Sequence, residues 1–73
     1  MNDTFTNGIA IRVNGVELAL TPPATIASLV AIRRPRPPFA VELNKRLVRR
    51  PEYASTPLAA GDVVEIVTLV GGG

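Results

Sequence analysis

The sequence predicts an α+β domain in which four to five strands form a sheet packed on one helix. Three observations carry this prediction. Four separate runs alternate apolar and polar residues, an Asn-Gly pair joins the first two, and a single stretch of helical spacing follows them.

The first strand starts at Ile9, with Ile9, Ile11 and Val13 on one face and Ala10 and Arg12 on the other. Asn14-Gly15 supplies the two positive φ values of a type I′ turn, and Val16, Leu18 and Leu20 resume the alternation around Glu17 and Ala19. Together they make a hairpin. Thr21-Pro22-Pro23 ends it, since consecutive prolines cannot donate to a ladder. In TIASLVAIRR, Ile26, Leu29 and Val30 fall at i, i+3 and i+4 with Thr25 as the N-cap, which predicts a helix of about ten residues. Arg33 and Arg34 suit its C-terminal dipole, and Pro35 stops it.

Residues 34–38, RPRPP, read as a stiff extended connector. FAVELN then places Phe39, Val41 and Leu43 inward and Ala40, Glu42 and Asn44 outward, a third strand. Asn44-Lys45-Arg46 reads as a turn and Leu47-Val48 as a short fourth strand. RRPEYASTP, residues 49–57, is expected to be irregular, broken by Pro51 and Pro57, with Tyr53 tucked onto the core. Leu58 should plug the core beneath a Gly61-Asp62 turn. The last strand is expected over residues 63–70.

Composition narrows the function. A chain of 73 residues is one small domain, near the size where a single core only just outweighs chain entropy. It has no cysteine and no histidine, so it lacks thiolate chemistry, disulfides, and the residue most used for general-base work and metal ligation near neutral pH. A self-contained active site and a metal centre are not expected. MNDTFTNG has acid and polar groups where a secretory signal has a basic patch and an apolar run, and no stretch is long enough to span a bilayer, which reads as cytoplasmic.

The net charge of +2 hides an asymmetry, because Arg33, Arg34, Arg36, Lys45, Arg46, Arg49 and Arg50 all fall mid-chain. Such a cluster is a solvated face, a docking site for an acidic partner, or a nucleic-acid patch. Only Phe39 and Tyr53 lie nearby to stack on bases, which places nucleic acid last. Parity in the last strand turns Val64 and Ile66 toward the core and puts Val63, Val67 and Leu69 on the face of Glu65. Val67 and Leu69 are therefore either a partner surface or residues covered by a neighbouring loop.

The order hairpin, helix, strand, short strand, long strand, tail is that of the β-grasp (ubiquitin-like) fold, a mixed sheet curled around one helix. Four stretches, RVNG, TIASLV, AVELNKRLV and LAAGDVVEIVTLVGGG, make the chain resemble the ThiS-type sulfur carriers of thiamine biosynthesis. The last stretch is the specific one, a Gly-Asp turn leading through an apolar strand to terminal glycines. The expected division is a flexible extension over residues 1–8, a β-grasp domain over 9–70, and a flexible glycine tail over 71–73. The extension, the PRPP connector and the double arginines depart from the family pattern.

The resemblance implies a protein cosubstrate rather than an enzyme. An adenylating enzyme (ThiF-like) using Mg-ATP activates the terminal carboxylate, here that of Gly73, and a sulfur donor protein converts the acyl-adenylate to a thiocarboxylate. A thiazole synthase (ThiG-like) then receives the sulfur. No cofactor bound by the chain itself is implied. Gly71 and Gly72 lack Cβ atoms and can thread a narrow channel, and three extended residues reach about 10 Å. Val67, Leu69, Arg49 and Arg50 are the candidate partner surface. The small subunit of molybdopterin synthase and the ubiquitin-like modifiers share this fold and diglycine end. A binding module for RNA or protein with an inert tail is the rival from another class.

Overall fold

The computed structural model describes residues 8–69, and the expectations for residues 1–7 and for Val70, Gly71, Gly72 and Gly73 lie outside the described residues. Five strands form one sheet in the order β2-β1-β5-β3-β4. They are β1 (Ile9–Val13), β2 (Val16–Leu20), β3 (Phe39–Leu43), β4 (Arg46–Val48) and β5 (Val63–Thr68), with helix α1 (Ile26–Arg33) between β2 and β3. β1 and β5 run parallel and every other neighbouring pair is antiparallel, so the sheet is mixed.

Both hairpins turn on consecutive residues with positive φ. Asn14 (50°) and Gly15 (83°) close β1-β2, and Asn44 (50°) and Lys45 (71°) close β3-β4. The second turn lets β4 begin at Arg46, one residue earlier than expected. Gly61, with φ +88°, occupies the third position of the turn closed by the Asp62 N–H to Ala59 carbonyl bond, where a side chain would be strained.

Thr25 caps α1 reciprocally with Ser28. Its hydroxyl accepts from the Ser28 N–H at 3.1 Å, and the Ser28 hydroxyl accepts from the Thr25 N–H at 2.8 Å. The helix has eight residues rather than about ten, because Arg34 turns left-handed (φ 49°) one residue before Pro35. Ile26 and Leu29 are fully buried and Val30 packs partly against the core.

The core lies between α1 and the inner face of the sheet, where Ile11, Val13, Leu20, Val41, Val48, Val64 and Ile66 meet Ile26, Leu29 and Leu58. Burial of each such side chain contributes about 1.5–3 kcal/mol. Residues 50–55 are not irregular; they form a 3₁₀ helix (Arg50–Ser55). Pro51 is tolerated in its first turn, where a backbone N–H has no helical partner, and the Glu52 carboxylate accepts the Arg49 N–H at 3.0 Å. This segment seats Tyr53 on Phe39, with ring centroids 6.5 Å apart and planes 22° apart.

Candidate functional site

The site is the end of β5. Val64 and Ile66 are buried (0% and 8% exposed), while Val63, Val67 and Leu69 are 40%, 46% and 53% exposed, as the parity of the strand predicts. No neighbouring loop covers the latter three among the described residues. The strand itself ends at Thr68, short of the expected residue 70, and the way it ends is set by its two neighbours.

On the β1 side, the Asp62 carbonyl accepts from the Arg12 N–H (2.9 Å) and the Val64 carbonyl from the Asn14 N–H (2.9 Å). The chain then turns away at Asn14-Gly15. The Asn14 side chain takes over for one more step. Its Oδ1 accepts from the Ile66 N–H at 2.7 Å and its Nδ2 donates to the Ile66 carbonyl at 3.1 Å, as a peptide group of a neighbouring strand would.

On the β3 side, Asn44 secures the start of β5. Its N–H donates to the Val63 carbonyl (2.7 Å) and its Oδ1 accepts from the Val63 N–H (2.9 Å), while its Nδ2 reaches Asp62 at 3.1 Å. The register continues through Glu42↔Glu65 and Ala40↔Val67 to the bond from the Leu69 N–H to the Pro38 carbonyl, 2.7 Å. That is the last bond of the ladder among the described residues, and Pro38 has no N–H to return to the Leu69 carbonyl. Four residues separate Leu69 from the carboxylate of Gly73.

The register Val41↔Val48 carries β4 out beside the same end of β3, so Arg49 and Arg50 leave the sheet about two strand spacings, roughly 10 Å, from β5. They line an open groove of about 820 Å³ with Pro38, Phe39, Pro51 and Tyr53. Val67 and Leu69 are not part of its lining. The central basic cluster is divided: Lys45 and Arg46 lie at the opposite end of β3, in the second hairpin, while Arg36 sits in the connector that leads into Phe39. On the outer face Glu42 stands directly opposite Glu65, so negative charge lies next to Val67 and positive charge across β3.

Among the described residues no group of three or more His, Cys, Asp or Glu is placed to hold a metal ion, and no helix is long and apolar enough to cross a membrane. The described end of β5 is thus apolar and exposed, with a groove lined by Arg49 and Arg50 across β3. The ThiS family matches residues 6–73, through the terminal glycines. The chain belongs to the ThiS family. No curated protein sequence matches it. The crystal structure of a thiamine biosynthesis protein (ThiS) from Geobacter metallireducens is similar, with a TM-score of 0.71 and 26% identity over 89% of this chain and 100% of that one. The likeness supports the β-grasp fold, a five-stranded mixed sheet with one helix.

The exposure of Val67 and Leu69 follows from the alternation of the strand, whereas the two residues at which its described pairing runs out do not. Asn14 reads only as a turn residue and Pro38 only as part of a connector. Their roles follow from register, which pairs each with one position of β5.

Proposed function

We propose that this chain is a sulfur carrier whose Gly73 carboxylate is the group that reacts. Membership of the ThiS family supports a sulfur carrier role in thiamine biosynthesis, and the finer chemistry is our reading. The observation that supports it is that the described pairing of β5 runs out on both edges, after Ile66, which Asn14 holds last, and at Leu69, which meets Pro38, four residues before a glycine terminus.

On this reading a ThiF-like enzyme supplies the catalytic residues and Mg-ATP. A carboxylate oxygen of Gly73 attacks the α-phosphorus, pyrophosphate leaves, and a mixed anhydride with AMP forms. The terminal sulfur of a donor protein's persulfide attacks the acyl carbon and AMP departs. A second thiol then cleaves the S–S bond, leaving a thiocarboxylate on Gly73 and a disulfide on the donor. The chain's own contribution is an unhindered acyl carbon and a handle for docking, and it binds no cofactor. Gly71 and Gly72 thread the partner's channel, and Val67, Leu69, Arg49 and Arg50 face partner proteins outside it. A ThiG-like thiazole synthase receives the sulfur.

Intact-mass analysis after incubation with ATP, a ThiF-like enzyme and a sulfur donor tests this. The expected result is a gain equal to the mass difference between sulfur and oxygen, localised to Gly73, and no gain in a chain lacking Gly72 and Gly73. Equal modification of the shortened chain would overturn the reading, as would failure of the intact chain with several such enzymes.

A further inference from the structure

Along β5, main-chain groups alternate between edges. Val63 and Leu69 bond toward β3, whereas Asp62, Val64 and Ile66 bond toward β1 and Asn14. The next residue in the second series is Thr68. Its N–H and C=O face the edge that β1 has already left, and no described residue bonds to them there. Its side chain is exposed, between the exposed Val67 and Leu69.

We propose that this edge is where a partner protein adds an extended segment of its own, pairing main chain to main chain with Thr68. The proposal rests on the carrier reading, since the partner meant is the protein that handles the terminus. Three features argue for a strand as the occupant. The Asn14 amide already holds Ile66 as a strand would, so the added segment continues an existing ladder. The opposite edge is already occupied, since the Leu69 N–H donates to the Pro38 carbonyl. And beyond Val70 the terminus consists only of glycine, so a partner has no side chain to grip and main-chain hydrogen bonds are its directional handle.

The free edge is too short to recruit strands unaided, which protects the protein from pairing with itself. It becomes a docking element when the terminus is engaged as well. Strand pairing at Thr68 then fixes the direction in which the chain leaves the sheet. The partner strand carries apolar side chains on the face shared with Val67 and Leu69.

The test uses the full chain with a ThiF-like adenylating enzyme. Amide hydrogen exchange at Thr68, followed by NMR with and without the enzyme in the absence of ATP, should slow at least tenfold in the complex; unchanged fast exchange would overturn the proposal. Thr68→Pro removes the N–H at a position where an open edge tolerates proline, and should lower kcat/KM for pyrophosphate release about tenfold, the scale of one lost main-chain hydrogen bond. Thr68→Ala keeps the N–H and should match the parent. A chemically synthesised chain N-methylated at Thr68 removes the same donor without the proline ring and should behave as Thr68→Pro does. Full activity in both the proline and N-methyl chains would overturn the edge-pairing proposal while leaving the carrier reading intact. Full activity without Gly72 and Gly73 would overturn the reading beneath it.

Discussion

The two halves of β5 have nearly the same composition and opposite circumstances. Val63–Ile66 is bonded on both edges, by β1 and Asn14 on one and by β3 and Asn44 on the other. Among the described residues, 67–69 are bonded on one edge only, by β3 and the Pro38 carbonyl that precedes it. Both halves are rich in β-branched or aliphatic residues, so intrinsic strand preference does not separate them. What separates them is where the neighbours stop. A strand can thus be anchored at one end and left open on one edge at the other without any change in its own character.

The largest effect expected from breaking this contrast is in the core of the anchored half. Ile66→Ala removes a side chain only 8% exposed and should cost about 2–4 kcal/mol, a large share of the stability of so small a domain. Val67→Ala, one residue on but 46% exposed, should change stability by less than about 0.5 kcal/mol. Urea unfolding of both variants checks the difference, and comparable losses would show that the two halves are not energetically distinct.

Asn14→Ala comes next. It deletes both bonds to the Ile66 main chain, at 2.7 and 3.1 Å, and puts a less tolerant residue at φ 50°. The expected cost is about 2 kcal/mol. Amide exchange at Ile66 should rise selectively, moving the boundary between the halves two residues toward the N-terminus. Asn14→Asp sharpens the point, since it keeps an acceptor for the Ile66 N–H but offers the carbonyl no donor.

Much of this architecture is legible in the sequence, and the exceptions have one local and one long-range cause. The alternation around Ile9, Val41 and Val64, the Asn14-Gly15 turn and the Thr25 cap are local signals, and each element formed where its signal lay. The 3₁₀ helix was missed because Pro51 reads as a breaker when its value as a helix-starting residue depends on the Glu52 cap. The roles of Asn14 and Pro38 were missed because they act on β5 from 52 and 31 positions away in the chain (66 − 14 and 69 − 38). Sequence shows that an Asn favours positive φ. It does not show which backbone the side chain will face. The division of the basic cluster has the same origin, since Lys45-Arg46 and Arg49-Arg50 are near neighbours in sequence but a three-residue strand puts them at opposite ends of the sheet edge.

The smallest effect on folding is expected at the released end. Arg49 and Arg50 are exposed, and their side chains make no hydrogen bond to another described residue, so Arg49→Glu with Arg50→Glu should leave the unfolding midpoint nearly unchanged. The groove they share with Phe39 and Tyr53 nonetheless lies across β3 from the strand end at which we propose a partner docks. If they steer an acidic partner surface, charge reversal lowers the association rate with the adenylating enzyme about tenfold at low ionic strength, and the deficit shrinks as salt screens it. If they form only a solvated face, the rate is unchanged at every salt concentration. Stopped-flow association across a salt series separates the two, and a salt-independent loss would point instead to a contact buried in the interface.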